Sequence, residues 1–219
     1  MTRFEGVARR YRQGLRSLPS ADTPLDQVRF VSIDCELTGL DAKTAKIVSV
    51  GAVALRGGEI LLADSFEELV RIQFNTAAVT VHGVTADQSQ AGRRIEDVLE
   101  DLLGYLGDAV LVGHHIAVDI ASLNSAAETF FGLELGNPAI DTMSLALGLE
   151  RTGALEAQPR ADFSLDALCR RFDIEPHDRH TAAGDAFLTA QVFQRLLARA
   201  LRAGVESLGA LREAQEAAA

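Results

Sequence analysis

Residues 29–41 read Arg-Phe-Val-Ser-Ile-Asp-Cys-Glu-Leu-Thr-Gly-Leu-Asp, and this stretch organises the rest of the chain. Its first half is rich in β-favouring residues, and it predicts a strand that delivers Asp34 and Glu36 to its end, just before a turn at Thr38-Gly39. Residues two apart in a strand point to the same face, so the two carboxylates would lie side by side. Adjacent carboxylates repel each other, and a divalent cation with oxygen ligands removes that cost. The pair therefore indicates a site for a magnesium- or manganese-type ion.

The composition is that of a globular protein rather than a disordered or membrane-spanning one. With 219 residues, 47% of them hydrophobic and 24% charged, the chain can bury a full core. No apolar run approaches the ~20 residues that a membrane span needs. Cys35 and Cys169 lack the spacing of a disulfide framework or a zinc ribbon. We therefore expect a cytoplasmic protein with no membrane segment.

The net charge of −10 excludes one mode of nucleic-acid binding. Proteins that coat nucleic acid by bulk electrostatics make many Lys and Arg contacts to phosphate, which an acidic chain does not favour. An enzyme that holds a few nucleotides at one end is still compatible with this charge. Bound metal ions would neutralise part of it.

Residues 1–17 are rich in arginine and also carry a helical apolar stripe. The stripe consists of Phe4, Val7, Ala8, Tyr11 and Leu15. It predicts an amphipathic helix docked on the domain or on a partner, and nucleic-acid contact is the alternative. We divide the chain into a basic helix and linker at 1–26, a main domain at 27–203 and a helical tail at 204–219.

The order of strand and helix patterns predicts an α/β fold. Strand patterns occupy the region after residue 29 and the ranges 46–55, 59–72, 109–113 and 138–141. Helical patterns occupy 95–106, 116–131, 142–150, 164–172, 182–203 and 204–217. A chain that begins as a meander and then alternates strands with helices implies a mixed five-stranded sheet flanked by helices.

Further metal ligands are expected at other strand ends and helix starts. Asp119 lies just past the strand at 109–113, and Asp185 lies one turn into a helix for which Thr181 is the predicted N-cap. His180 stands immediately outside that helix, on connecting chain. A neutral imidazole can take a proton from a water molecule near neutral pH, so His180 is a candidate general base.

Spacing alone leaves these assignments open. The Asp-x-Glu pattern recurs at Asp173 and Glu175, where a solvated helix exit explains it better. The His-x-x-x-x-Asp pattern occurs three times, beginning at His82, His114 and His180. A histidine before a helix is commonly a surface or capping residue. The order of all the segments along the chain has to decide whether these residues form one site.

That order resembles the DEDDh 3′→5′ exonucleases, the epsilon-like branch of the ribonuclease H-like superfamily. Asp34-Cys35-Glu36-Leu37-Thr38-Gly39-Leu40-Asp41 is similar to their first motif. Val81-His82-Gly83-Val84-Thr85 is similar to their Val-His-Gly-Ile-Thr segment. Residues 112–119 are similar to the second motif, 140–142 to the strand after it, and 179–186 to the third. The resemblance covers about 30–197.

The resemblance implies a ribonuclease H-like exonuclease domain that releases nucleoside monophosphates from the 3′ end of nucleic acid, with single-stranded DNA as the expected substrate. It implies two Mg²⁺ or Mn²⁺ ions held by Asp34, Glu36, Asp119 and Asp185, with His180 as general base. It also implies substrate contacts by Leu37, Thr38, His82, Val84, Thr85 and His115. The expected partners are nucleic-acid 3′ ends and a polymerase or other protein bound through the N-terminal helix.

Two positions depart from the family pattern. His115 stands where Asn is usual after Gly-His, and Val118 stands where an aromatic residue usually precedes the Asp. The alternatives are an RNA-directed 3′ exoribonuclease of the same family and a non-catalytic module that binds nucleic-acid ends. A purely structural α/β protein would require the order of five motifs to be a coincidence.

Overall fold

The computed structural model describes residues 2–39, 45–72, 91–158 and 162–218. Within these ranges the sheet has five strands in the order β3-β2-β1-β4-β5. The strands are β1 (Phe30–Leu37), β2 (Ile47–Arg56), β3 (Glu59–Leu69), β4 (Val110–Gly113) and β5 (Ala139–Asp141). The first three form an antiparallel meander, and β4 and β5 extend the sheet parallel to β1.

The described helices cover both faces of this sheet. They are α1 (Arg3–Gly14), α2 (Ile95–Leu106), α3 (Ala117–Phe131), α4 (Thr142–Arg151), α5 (Leu165–Arg171), α6 (Ala182–Arg202) and α7 (Leu208–Glu216). The predicted fold class, a mixed five-stranded sheet flanked by helices, is confirmed. The last helix begins at Leu208 rather than at 204.

Strand β1 divides the core into two layers because its side chains alternate between the faces of the sheet. The odd-numbered residues from Val31 to Leu37 join the layer formed with α1, α2 and α3. On the other face, Phe30 packs against Phe193 of α6 with ring centroids 4.9 Å apart. Ser32 donates a hydrogen bond to the Ala186 carbonyl of the same helix at 2.8 Å. Helix α6 is therefore fixed along the face that carries Asp34 and Glu36.

A glycine in β2 lets the start of α6 reach the sheet. Gly51 pairs with Asp34 across the β1–β2 ladder. A Cβ atom at Gly51 would lie 2.3 Å from the backbone of Ala182, the first residue of α6, a distance that real Cβ atoms do not show. A glycine inside a strand is typical of such close backbone approach. This contact brings the first turn of α6 beside the carboxyl end of β1.

The N-terminal helix is docked on the domain. Its apolar residues Val7, Ala8 and Tyr11 are buried in the layer beneath α1. On its outer side, Arg3 and Arg10 both bind the carboxylate of Glu100 in α2, at 2.6 Å and 2.8 Å. The structure thus agrees with the first of the two interpretations of this helix. No helix among the described residues is long and apolar enough to cross a membrane.

Helix α7 is also packed on the fold. Leu208, Leu211 and Ala214 are buried in the layer that contains α6. The side chain of Gln215 accepts a hydrogen bond from the backbone of Asp141 at 2.7 Å, at the end of β5. The division of the chain into 1–26, 27–203 and 204–219 stays a prediction.

Candidate active site

Three of the four predicted ligands meet at the carboxyl end of β1. Asp34 and Glu36 project from β1 towards α6, as the alternation of a strand requires. Asp185 comes from the first turn of α6. One carboxylate oxygen of each residue lies within 4.8 Å of the others. Glu36 and Asp185 are buried, and Asp34 is partly buried, so the cluster is open to solvent on one side.

Asp119 joins this cluster from the first turn of α3. The parallel ladder between β1 and β4 covers Phe30 to Ser32 and then stops. Beyond that point the backbone amide of Cys35 needs another acceptor, since a buried N–H is costly to leave unpaired. Asp119 supplies it, with its Oδ1 atom 2.9 Å from the Cys35 nitrogen. The hydrogen bond places the carboxylate of Asp119 against the backbone of Cys35, the residue between Asp34 and Glu36.

The electrostatics of the cluster favour a bound cation. Burial, together with repulsion from Asp119, Asp185 and Glu36, raises the pKa of Asp34 to about 9. Burial also raises the pKa of Asp119 to about 7, although the hydrogen bond from Cys35 opposes the shift. These shifts mean that the cluster carries more negative charge than its surroundings stabilise. Cations would relieve that imbalance.

The donor set fits a hard divalent cation. Its four members all offer carboxylate oxygens, which suit Mg²⁺, Mn²⁺ and Ca²⁺ better than they suit soft metals. The neighbouring thiol of Cys35 lies in the layer beneath α1 and is hydrogen-bonded to Asp119, and burial followed by repulsion from Asp119 raises its pKa, so it stays protonated. Asp34, Glu36, Asp119 and Asp185 could therefore hold metal ions without help from sulfur.

The chain around residue 180 forms a tight turn before α6. Thr181 is the N-cap, as predicted, because its hydroxyl oxygen accepts a hydrogen bond from the Gly184 amide at 3.1 Å. The same hydroxyl donates to the Asp178 carbonyl at 2.7 Å. His180 has φ 64° and Asp178 has φ 51°, a left-handed conformation that is unusual for residues other than glycine. His180 is exposed, and it lies on this turn five residues before Asp185.

Arg179, which lies in this turn, binds two carboxylates from neighbouring helices. Its Nε atom donates to Asp166 of α5 at 2.6 Å, and its Nη1 atom donates to Asp185. No motif in the sequence assigns a role to Arg179 or Asp166. The motif at 179–186 contains Arg179. Asp166, its second carboxylate partner, lies thirteen positions earlier, and only the fold brings the two together.

The histidine pair after β4 has two different environments. The Nδ1 atom of His114 lies 2.9 Å from the hydroxyl of Thr142, which in turn donates to the Gly113 carbonyl. The Nε2 atom of His114 is buried without a partner among the described residues. Burial, and then repulsion from His115, lowers the pKa of His114 to about 4. His115 is exposed and has φ 58°.

The structure describes only some of the residues predicted to contact substrate. Leu37 is buried at the end of β1, and the Thr38 amide donates to the Lys46 carbonyl at 2.9 Å. His82, Val84 and Thr85 lie outside the described residues. Val118, in the place of the family's aromatic residue, is 42% exposed. The substrate-binding roles of all these residues, and of His115, stay predictions.

The site combines two carboxylates at the end of a central strand with one acid from a helix on each face of the sheet. This arrangement suits metal-assisted phosphodiester hydrolysis. The exonuclease family matches residues 31–193 of this chain. The chain belongs to that family. The recognition and the enzyme class predicted from the sequence, a 3′→5′ exonuclease of the DnaQ-like class, are confirmed.

Similar proteins agree with this assignment. DNA polymerase III subunit epsilon of Aquifex aeolicus is 30% identical over 188 residues, which are 83% of this chain and 86% of that protein. DNA polymerase III PolC-type of Thermotoga maritima is 30% identical over 199 residues, which are 90% of this chain but 14% of that much longer protein. The structure of Exonuclease X in complex with 5′ overhanging duplex DNA superposes with a TM-score of 0.60 and 22% identity, covering 86% of this chain and 99% of that one.

Proposed function

We propose that this chain hydrolyses the terminal phosphodiester at the 3′ end of single-stranded DNA and releases one nucleoside monophosphate at a time. The observation that carries the proposal is the meeting of Asp34, Glu36 and Asp185 within 4.8 Å, with Asp119 bound beside them to the Cys35 amide. DNA is favoured over RNA because the relatives with the matching domain are DNA polymerase III proteins.

The four carboxylates would hold two Mg²⁺ or Mn²⁺ ions. When bound, such ions stabilise the charge on the attacking and leaving oxygens of a phosphodiester. The protein's own contribution is to fix the carboxylates before the ions arrive. Asp34 and Glu36 are fixed by the β1 ladder, Asp119 by the Cys35 amide, and Asp185 by the contact of α6 with Gly51.

His180 would act as the general base that takes a proton from the attacking water. Its exposure, on the turn just before the helix that carries Asp185, supports this role, since a base has to reach water next to a bound substrate. The strained turn limits where that imidazole can point. If His180 is the base, His180→Ala should lower the rate of cleavage at saturating Mn²⁺ while substrate binding stays close to the wild-type value.

The proposal is tested with 5′-labelled oligonucleotides incubated with the protein and Mn²⁺. A ladder of products shortened from the 3′ end is expected for single-stranded DNA, and Asp34→Ala should give none. Full activity of purified, folded Asp34→Ala would contradict the metal-site assignment. Faster degradation of a matched RNA strand would favour the exoribonuclease alternative. Binding without any cleavage would favour the non-catalytic module.

A polymerase partner is proposed from the same relatives, which are polymerase proteins. The apolar face of α1 is occupied by the domain, so a partner would have to contact the outward face of that helix. Arg9 of this helix, and Arg16 just after it, line a surface pocket beside Phe131 of α3 that such a partner could contact.

A further inference from the structure

The side chain of Arg179 links the proposed metal site to the turn that carries His180. Its guanidinium group binds Asp185, one of the four site carboxylates, and Asp166, which belongs to α5 and lies outside the cluster. An arginine can hold two carboxylates at once because its donors form a rigid planar fork. The side chain is 21% exposed, so these contacts are only partly weakened by solvent.

We infer that Arg179 is a positioning residue that fixes His180 for the reaction and also competes with cations for Asp185. The inference rests on the proposed function of the site. It goes further because it assigns roles to two residues, Arg179 and Asp166, that lie outside the predicted ligand and base set.

The positioning role follows from the backbone of the turn. Asp178 and His180, on either side of Arg179, both have left-handed φ values. Such conformations persist only where surrounding contacts hold them. The Thr181 hydroxyl holds the backbone from one side, through Asp178 and Gly184. The guanidinium of Arg179 holds it from the other, because it is tied to two separate helices. The direction of the neighbouring imidazole therefore depends on Arg179.

The competing role follows from the charges. Asp185 cannot give both oxygens freely to a cation while one of them binds the guanidinium. Asp166 offers Arg179 a second carboxylate farther from the cluster, and so favours release of Asp185 when a cation arrives. Removal of Arg179 should then strengthen cation binding, whereas removal of the Asp166 charge should weaken it. Simple damage to the fold would weaken binding in both cases.

The test measures Mn²⁺ binding to the purified full chain by calorimetry, and the rate of DNA cleavage at saturating Mn²⁺. For Arg179→Ala we expect about fivefold tighter Mn²⁺ binding but a rate about tenfold lower, on the scale of a lost ion pair and of a lost supporting contact. For Asp166→Asn we expect weaker Mn²⁺ binding. Arg179→Lys keeps the charge but not the fork, so its rate should stay low while Mn²⁺ binding returns towards the wild-type value.

A double variant separates this role from a general effect of charge. If Asp166 acts through Arg179, then Asp166→Asn should have no further effect on Mn²⁺ binding in the Arg179→Ala background. Glu175→Gln is the matched control, since it removes an acid from the same connecting chain that is 82% exposed and lies 3.8 Å from His177. It should change neither quantity.

The possible outcomes are distinct. Wild-type protein that binds no Mn²⁺ and cleaves no DNA would overturn the proposed function, and this inference with it. Wild-type protein that does both, combined with additive effects in the double variant or with weaker binding in Arg179→Ala, would overturn this inference alone. Melting temperatures close to the wild-type value for the variants would exclude unfolding as the cause.

Discussion

Acidic residues lie in two contrasting settings in this molecule. Between α1 and α2, the acids Asp97 and Glu100 lie at the surface and bind arginines from the facing helix. At the end of β1, four acids lie close together, and burial together with their mutual repulsion raises the pKa of Asp34 to about 9. Arg179 donates a hydrogen bond to one of them, Asp185. The first set forms exposed ion pairs between two helices. The second set carries mutual repulsion that a bound cation would lower.

Asp119→Asn should separate catalysis from stability most strongly. The amide oxygen of Asn can still accept the hydrogen bond from Cys35, but the site loses one negative ligand. We expect the rate to fall about a thousandfold or more, the size of several kcal/mol of lost transition-state stabilisation. The melting temperature of the metal-free protein should rise by a few degrees, since a repelling charge is gone. Calorimetry in the presence of a chelator checks this, and a lower melting temperature would contradict it.

Gly51→Ala tests whether the close approach of α6 builds the cluster. The new methyl group would collide with the backbone of Ala182, so the first turn of α6 and its Asp185 must move. We expect about 1–3 kcal/mol of destabilisation and a rate lower by about a hundredfold, as overpacking and a misplaced ligand predict.

Gly104→Ala is the control for this variant. Gly104 lies within α2, and nothing lies within 4 Å of a Cβ built there. Alanine at that position should leave the rate unchanged and should stabilise the helix slightly. Equal activity of Gly51→Ala and Gly104→Ala would show that the site does not depend on this contact.

His114→Asn tests how the lowered pKa of His114 affects the pH dependence of folding stability. The pKa of His114 is lowered to about 4 in the folded protein from an ordinary value near 6.5. The unfolded chain therefore takes up a proton first as the pH falls, and folding stability is lost between about pH 6.5 and pH 4. The loss amounts to about 3 kcal/mol. Asn can keep the hydrogen bond to Thr142 but cannot titrate. Urea unfolding at both pH values should show a smaller loss in the variant.

Glu100→Gln should have the smallest effect. Glu100 accepts hydrogen bonds from both Arg3 and Arg10, but these arginines are largely exposed and salt screens such pairs. We expect a melting temperature lowered by no more than about 2 °C and no change in DNA cleavage. The sign is opposite to that expected for Asp119→Asn. A large loss of activity would mean that the position of α1 affects the site.

The local patterns were strong enough to predict most elements. The alternation in residues 30–37 predicted β1 and the shared face of Asp34 and Glu36, because a strand repeats every two residues whatever surrounds it. The helical spacing at 95–106 gave the bounds of α2, and Thr181 was recognised as an N-cap from its residue type and position. The prediction that the chain is an exonuclease followed from the order of short motifs.

Contacts between distant residues could not be read in the same way. The glycine at position 51 carries a signal, since glycine is unfavourable inside a strand, but the sequence does not say which backbone approaches it. The pairing of Arg179 with Asp166 has no such signal. One arginine among many acidic residues has no preferred partner until the chain is folded.

The sequence by itself determined the class of fold, the family, and the residue types that could bind a metal, because periodicity and motif order are properties of the chain alone. Only the tertiary structure decided which carboxylates lie within 4.8 Å of one another, which backbone amide binds Asp119, and which arginine binds Asp185. Those distances depend on how closely α3 and α6 approach β1. That approach is fixed by packing and by paired backbone groups from segments far apart in the chain.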